Sequence, residues 1–304
     1  MIPDRVHREF YWTVLVLILA CIITFAPDVY LLMLVRAFIV PASGAALLIA
    51  LFAGLRRKWW LAQGTLVAAA LLLQGGYMAS RAEGPANGKA DLRILHMNVL
   101  QPNTAYQATI TRALASDADL ISVQEVGPEW AVALAQGLRT SYPYAHVEPR
   151  TNCYGIALFS RVPFLEVRTF HVNGAPFIEA CFDHHGKPVR VVAVHASSPI
   201  SYGHFKRRNA QLAHLGTSLT AKDTATIVVG DLNTVPWDGA FKSLCRRSGL
   251  CSTADGGHRT WPRIGPFAII PLDHILVSPW ISATISTEEI PGSDHRAVLA
   301  DLKL

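Results

Sequence analysis

Residues Thr226 to Asp238 read TIVVGDLNTVPWD, and this stretch decides the fold because a strand-forming run ends directly in two polar side chains. Asp231 and Asn233 follow the run with only Leu232 between them. A buried strand that ends in such residues is how α/β folds usually present chemistry at the edge of a sheet. Asp and Asn also begin ordinary turns, because both tolerate the left-handed backbone conformation. The stretch therefore predicts either a functional strand end or a simple turn, and the rest of the chain must decide.

The first 80 residues are too apolar for an ordinary soluble domain and predict a membrane anchor. The whole chain of 304 residues is 51% hydrophobic and has a mean hydropathy of +0.29. Three stretches near the N-terminus contain no Asp, Glu, Lys or Arg, and each is close to the roughly 20 residues of a bilayer-spanning helix. We therefore predict three transmembrane helices in residues 1–80, with a buried soluble hairpin or a cleaved signal peptide as the alternatives. The stretches are Phe10–Pro27, Ala37–Leu55 and Trp59–Ser80.

The cations around these stretches predict the orientation of the anchor. Arg5 and Arg8 precede the first stretch. Arg56–Lys58 separate the second stretch from the third, whereas the first loop contains only Arg36. By the positive-inside rule, the N-terminus and the Arg56–Lys58 loop are cytoplasmic. The third helix then leaves the cytoplasm, and a Gly- and Ala-rich linker at residues 81–90 leads to one extracytoplasmic domain at residues 91–304.

The charge of this domain gives no support to a partner with many phosphates. Residues 1–82 hold seven of the 27 Lys and Arg residues and three of the 22 Asp and Glu residues, which leaves 20 bases and 19 acids. A protein that follows a long nucleic acid usually carries a basic face. A nucleic-acid partner is therefore allowed but not favoured, and nothing in the sequence indicates a protein partner.

Four of the five cysteines fall in the domain, and their even number in an oxidising compartment predicts disulfides. Cys245 and Cys251 lie six positions apart, close enough to join a helix end to the next loop or strand. Cys153 and Cys181 are left as the second pair. Buried free thiols are the alternative. No CxxC or Cys/His zinc spacing occurs, so a metal held by sulfur is not expected.

Hydrophobic periodicity predicts a layered α/β domain with largely antiparallel sheets. Short β-forming runs are separated by Pro, Gly and Asn, and HHGK is expected to form a hairpin turn. The predicted helices are Ala105–Ser116, Glu129–Leu138, Tyr202–Leu219 and Trp237–Ser248. The predicted strands are LRILHMNVL, DLISVQEV, GIALFS, LEVRTF, FIEACFD, PVRVVAVH, IVVGDLN, DHILVS and HRAVLADL.

Polar residues stand at the ends of these strands as a set. Any one of them alone is explained by a turn or by a satisfied hydrogen bond. Together they supply hard oxygen ligands for a divalent cation, two histidines, and carboxylates that could orient the histidines. The set consists of Asn98, Glu125, His195, Asp231, Asn233, Asp273, Asp294 and His295.

The motifs that carry these residues resemble, in chain order, the signature of the endonuclease/exonuclease/phosphatase superfamily. They are HMNV at Asn98, QE at Gln124–Glu125, GIALFSR at Gly155–Arg161, AVHASS around His195, GDLN at Gly230–Asn233, LDHI around Asp273 and GSDHR at Gly292–Arg296. The resemblance implies the deoxyribonuclease-I-like fold, a four-layered α/β sandwich of two mainly antiparallel sheets flanked by helices. Because apolar stretches precede the domain, the chain also resembles a membrane-tethered bacterial subgroup, which implies the inner membrane.

The same resemblance implies a metal site. Glu125 and Asn98 would hold Mg²⁺ or Mn²⁺, with Asp294 as a further ligand, because both cations prefer oxygen ligands.

It also implies roles in phosphoester hydrolysis for the remaining residues. Asp231 would orient or deprotonate the attacking water, and Asn233 would donate to a phosphoryl oxygen. His295, held in its tautomer by Asp273, would donate a hydrogen bond or proton to the phosphate, and His195 would be a second donor.

The sequence thus predicts a metal-dependent phosphoesterase, of the phosphodiesterase type, that is anchored in the membrane. A small or membrane-associated phosphoester is favoured over duplex DNA, because a tether raises the effective concentration of lipid-borne substrates. The stretch Trp261–Pro271 (WPRIGPFAIIP) is expected either as a loop near the site that contacts lipid or as ordinary core and turn. A metal-dependent nuclease and a non-catalytic binding module on the same fold are the alternatives.

Overall fold

The computed structural model describes residues 4–76, 90–219, 224–253 and 258–304. The chain forms two compact units. One unit consists of Met1–Ala79 with Pro236–Gly239, and the other consists of Ser80–Val235 with Ala240–Leu304. Of the predicted linker, only Ala90 falls within the described residues, and the end of the third predicted span at residues 77–80 lies outside them.

Four helices build the described part of the N-terminal unit. They are α1 (Asp4–Phe25), α2 (Tyr30–Ala37), α3 (Ile39–Leu55) and α4 (Trp59–Gly75). Residues Val6–Phe25 are long and apolar enough to cross a membrane, as a span or as a signal sequence. The second predicted span, Ala37–Leu55, corresponds to α3, which has 17 residues and follows α2 at a bend of 62°. Helix α4 also has 17 residues, against the roughly 20 of a full span. Among the described residues, only α1 is long and apolar enough to cross a membrane, or two spans are present if the bent pair crosses as a unit. The three transmembrane helices stay a prediction.

Strands and helices alternate through the rest of the described chain. The strands are β1 (Leu92–Asn98), β2 (Leu120–Gln124), β3 (Tyr144–Glu148), β4 (Ile156–Ser160), β5 (Glu166–Val172), β6 (Ala175–His184), β7 (Lys187–His195), β8 (Ala225–Asp231), β9 (Cys251–Ser252), β10 (Trp261–Ile264), β11 (Phe267–Ile270), β12 (Asp273–Val277), β13 (Ser282–Glu289) and β14 (Arg296–Lys303). The helices are α5 (Tyr106–Ala115), α6 (Pro128–Leu138), α7 (Tyr202–Ser218) and α8 (Gly239–Ser248).

Two six-stranded sheets form the frame of the second unit. The first has the order β13-β14-β1-β2-β4-β3 and the second β5-β6-β7-β8-β12-β9, while β10 and β11 form a separate hairpin. Neighbours pair antiparallel except β1 with β2 and β7 with β8. The chain passes through α5 between β1 and β2, and through α7 between β7 and β8, because parallel strands need a crossover connection. The predicted fold class, two mainly antiparallel sheets flanked by helices, is confirmed.

Three buried apolar clusters define four layers. The first lies between the two sheets and includes Ile94, Val191 and Ile227. The second packs α5 and α6 against the outer face of the first sheet, where Trp130 is buried, and the third packs α7 and α8 against the second sheet, where Leu212 is buried. Both sheets are thus covered on both faces over most of their area.

Some edge strands were not predicted. All four predicted helices of the domain are present with ends shifted by at most two residues, and HHGK forms the expected turn between β6 and β7. The missed strands include β3 and β13, which form the two edges of the first sheet, have no buried residue and lack an apolar run. The stretch Trp261–Pro271 folds into the hairpin β10–β11, not into a loop.

All five cysteines are free thiols, so the structure contains neither predicted disulfide. Cys153 lies at the surface. Partial burial of its thiol, and to a smaller extent the charges of Glu125 and Asp231, raise the pKa of this thiol. Cys181 lies instead on β6, beside Glu179. The two cysteines of the second predicted disulfide, Cys153 and Cys181, therefore have different surroundings. Burial, together with the nearby Cys251, raises the pKa of Cys245 to about 12, which keeps this thiol protonated and unreactive.

Candidate active site

The site lies at one end of the sandwich, where four strands change from apolar to polar residues on the face between the sheets. Alternate residues of a strand point to the same face, and the inward series of these strands belong to the apolar core between the sheets. The series end in His96 and Asn98 on β1, His195 on β7, Asp231 on β8 and Asp273 on β12. Strand register places His195 opposite Asp231, and Asp231 opposite Asp273. The same alternation that builds the core therefore delivers the site residues to one place.

Glycine at position 230 allows β7 and β8 to approach closely at this end. Its φ of 152° is a conformation that L side chains rarely adopt, and a Cβ there would lie 1.8 Å from the carbonyl oxygen of Val194. Any larger residue would force the strands apart and separate His195 from Asp231. This explains the glycine of the GDLN motif.

His295 and Asp273 form the buried pair that the sequence predicts. The Nδ1 of His295 lies 2.8 Å from the Oδ2 of Asp273. Burial opposes the charge of His295, but the charge and hydrogen bond of Asp273 raise the pKa of the imidazole to about 10. Burial likewise opposes ionisation of Asp273, yet the charge of His295 and hydrogen bonds from His295 and His96 hold the pKa of this carboxyl below its usual range. At neutral pH the pair is a carboxylate with an imidazolium.

Asp231 sits at the centre of the site. Its Oδ2 lies 3.7 Å from the Nε2 of His195 and 3.8 Å from the Nε2 of His295. Burial, followed by the charge of Asp273, raises the pKa of Asp231 to about 6, and the two histidines oppose this shift. The carboxyl is therefore largely ionised at neutral pH and basic enough to accept a proton.

Asn98 holds two carboxylates together. Its Nδ2 donates to the Oε1 of Glu125 over 3.0 Å and to the Oδ2 of Asp231 over 3.2 Å, while its Oδ1 accepts from the backbone N–H of Leu100. The Oε2 of Glu125 accepts from the backbone N–H of Gln101. Glu125 has a φ of 62°, a left-handed conformation that is costly for this residue type and clusters at functional sites. In this arrangement Asn98 orients Glu125 and presents its amide nitrogen to both carboxylates.

Asp294 offers an oxygen without a partner. Its Oδ2 accepts from the indole Nε1 of Trp261 over 2.8 Å, whereas its Oδ1 is buried and makes no hydrogen bond to any described residue. An unpaired buried carboxylate oxygen is expensive unless a cation binds it. The oxygens of Glu125 and Asp294 therefore suit a hard divalent cation. Asp231, Asp273 and His295 also lie close enough to hold a metal ion, but the Asp273 and His295 atoms are already paired with each other.

His195 and Asn233 complete the set with part of their bonding capacity free. The ring of His195 lies at a tilt near Tyr154, and its buried Nδ1 has no partner among the described residues. Asn233 donates one N–H of Nδ2 to the carbonyl of Ala196, and its backbone N–H donates to Asp231. Its φ of 48° is again left-handed.

Sequence reasoning missed two residues that touch the site, His96 and Trp261. His96 bonds to Asp273, and Trp261 bonds to Asp294. The signal for His96 was its spacing: it stands two positions before Asn98 in the same strand, and so on the same face. Trp261 belonged to a stretch that was expected either as a loop near the site or as core and turn, but its bond to Asp294 was not predicted.

The carboxylates and imidazoles gathered at one end of this sandwich form a site suited to general acid–base catalysis. Residues 95–295 match the model of the endonuclease/exonuclease/phosphatase family, and this range is well over half of the chain. The chain belongs to that family. It is therefore an enzyme that cleaves phosphoester bonds, and enzymes of this family use divalent metals.

Several solved structures share the fold. TDP2 of D. rerio, in complex with a single-strand DNA product, has 20% identity and a TM-score of 0.56 over 70% of this chain and 99% of that chain. Beta toxin of Staphylococcus aureus, as a mutant with bound magnesium ions, has 19% identity and a TM-score of 0.56 over 70% and 100%. Sphingomyelinase C of Streptomyces griseocarneus has 18% identity and a TM-score of 0.53 over 69% and 98%. None of the curated proteins matches the chain.

Proposed function

We propose that this chain is a metal-dependent phosphoesterase of the phosphodiesterase type. The observation that carries the proposal is the position of Asp231 between the Nε2 atoms of His195 and His295, at 3.7 Å and 3.8 Å. Both distances exceed hydrogen-bond length, so both ring nitrogens retain the capacity to donate to a substrate. A carboxylate for the proton of water and two donors for phosphoryl oxygens are the groups that such a hydrolysis needs.

Mg²⁺ or Mn²⁺ is the proposed cofactor. Glu125 and Asp294 would bind it through carboxylate oxygens, which both cations prefer, and Asn98 would position Glu125 or add its own oxygen. When bound, such a cation neutralises charge that develops on the nonbridging oxygens of the phosphoryl group. The unpaired Oδ1 of Asp294 supports this assignment.

The chain's own residues then supply the proton transfers. Asp231, with a pKa of about 6, would orient the attacking water and accept its proton. His295 is positively charged at neutral pH, and its ring is held in place by the hydrogen bond to Asp273. It would donate to an oxygen of the phosphate. His195 and the second N–H of Asn233 would donate to the remaining oxygens.

The proposed substrate is a small or membrane-associated phosphoester. The near balance of 20 bases and 19 acids after residue 82 gives little counterion release on nucleic acid. The hairpin β10–β11 reaches the site through the bond between Trp261 and Asp294, and its tip exposes Ile264 and Phe267 to 61% and 74%. Exposed apolar side chains beside a catalytic site favour a lipid surface or an acyl chain over a free polymer.

Phospholipid in mixed micelles is expected to be hydrolysed faster than plasmid DNA by the same full-length preparation. Phe267→Ser should lower the turnover of phospholipid in micelles about tenfold, since burial of a Phe side chain in lipid contributes roughly 1.5–3 kcal/mol. It should leave the hydrolysis of a soluble phosphodiester unaffected. Val132→Ser, at an exposed apolar position on α6, is the matched control. Mg²⁺-dependent and His295-dependent nicking of DNA without lipid turnover would reject the lipid proposal in favour of a nuclease.

We also propose that the N-terminal helices anchor the enzyme in an inner membrane, with the active site outside the cytoplasm. The apolar helix at Val6–Phe25 supports a first crossing. The cations Arg56–Lys58 support this orientation if α3 and α4 also cross, because their loop is then cytoplasmic and the domain is outside. Arg36 carries less weight, because it pairs with Asp28 inside the helical unit. A reporter that works only outside the cytoplasm, fused after Ala90, should be active. An expressed but inactive fusion would show that the domain stays inside.

A further inference from the structure

A third buried side chain extends the pair of Asp273 and His295. His96 on β1 is fully buried, and its Nε2 lies 2.7 Å from the Oδ1 of Asp273. The other oxygen of Asp273, Oδ2, lies 2.8 Å from the Nδ1 of His295. Asp273 is therefore held by two imidazoles, one at each oxygen.

The surroundings of His96 define which of its nitrogens carries the proton. The carboxylate of Asp273 only accepts hydrogen bonds, so the Nε2 of His96 is the donor. The Nδ1 of His96 is buried and has no partner among the described residues. A proton there would be a buried donor without an acceptor, which costs free energy. His96 therefore gives its one hydrogen bond to the Oδ1 of Asp273, and the Oδ2 of Asp273 stays directed at His295.

A purely structural role would not require a polar residue at this position. The preceding inward residues of β1, Leu92 and Ile94, belong to the apolar core between the sheets. An apolar side chain at position 96 would extend that core without the desolvation cost of an imidazole. Opposite Asp273, however, it would leave Oδ1 buried without a donor, and the carboxylate could then turn away from His295.

We propose that His96 is a positioning residue for His295 that acts through Asp273. It fixes the carboxylate so that the second oxygen holds the His295 ring with its Nε2 toward the phosphoryl site. The inference rests on the proposed function, in which His295 donates to the substrate. His96 itself touches no substrate, because its side chain is fully buried.

Two substitutions in the full-length chain separate positioning from packing. His96→Leu removes the donor, and it should lower kcat by about 10–100-fold with KM changed by less than about threefold. His96→Gln retains an N–H at the same distance along the side chain, and it should recover most of the lost kcat. Tyr142→Phe removes another buried hydrogen bond, to the carbonyl of Ala118 away from the site, and should lower the melting temperature without changing kcat.

The Nδ1–H resonance of His295, followed by NMR on ¹⁵N-histidine-labelled full-length protein, gives a readout that needs no activity. It should be retained in His96→Gln and shifted or lost in His96→Leu. If the two variants show this difference in the His295 resonance but the unsubstituted protein hydrolyses no phosphoester, the proposed function fails while the positioning role stands. Equal losses of kcat in both variants, with the His295 resonance unchanged, would show that His96 contributes only to packing and would overturn the inference.

Discussion

Replacement of His295 by asparagine is expected to lower kcat by at least about a hundredfold while the fold is retained. The Nδ2 of asparagine can still donate to Asp273 in place of the ring Nδ1, so the buried carboxylate keeps a partner. The Nε2 that faces Asp231 is lost, and with it the proton donor for the phosphate. Steady-state hydrolysis of a soluble phosphodiester, with circular dichroism to verify folding, measures the effect.

The pH profile of the wild-type enzyme gives this prediction a second test. Because the pKa of His295 is raised to about 10, the imidazolium persists as pH rises through 6.5, where an ordinary histidine loses its proton. Activity should therefore decline only at clearly alkaline pH. His214→Asn, the same change at an exposed position of α7, is the control and should be silent. Near-wild-type activity of His295→Asn would remove His295 from the mechanism.

Replacement of Glu125 by glutamine is the second change with a large expected effect, again at least about a hundredfold in kcat. The substitution preserves side-chain size and leaves an oxygen for the Nδ2 of Asn98, although the bond accepted from the backbone N–H of Gln101 is lost. The geometry around Asp231 should therefore survive. It removes the negative charge that would bind the divalent cation, and the concentration of Mg²⁺ needed for half-maximal activity should rise steeply.

Titration of activity with Mg²⁺ measures both effects of Glu125→Gln in one experiment. Glu166→Gln on β5, an exposed position, provides the control for a lost carboxylate. If Glu125→Gln requires no more Mg²⁺ than the parent and retains its kcat, Glu125 does not bind the metal and the ligand set must be sought elsewhere.

Much of the fold could be predicted from the sequence because hydrophobic alternation marks the inner strands. The run that ends at Asp231 is one example: Ile227 and Val229 face the core between the sheets, and Asp231 takes the next inward position at the strand end. Strand register then brings His195 and Asp273 beside it. Residues far apart in sequence meet because each follows the same alternation to the same end of the sandwich.

What the sequence could not indicate depends on partners that are distant in the chain. His96 reads as one polar residue inside a strand, and only its contact with Asp273, 177 positions later, gives it a role. The hairpin at Trp261 was missed because its exposed apolar tip does not alternate, and the edge strands β3 and β13 lack an apolar run. The bend of 62° at Phe38, at the start of the second predicted membrane span, was also not predicted.

Hydrolysis of a panel of phosphodiesters and phosphomonoesters by the purified full-length chain, with and without Mg²⁺, tests the central claim most directly. We expect turnover of phosphodiesters that is lost on chelation of the metal, restored by Mg²⁺ or Mn²⁺, and absent from Glu125→Gln and His295→Asn. A folded preparation that hydrolyses no member of the panel, or one whose activity is indifferent to chelation and to both substitutions, would contradict a metal-dependent phosphoesterase centred on Asp231.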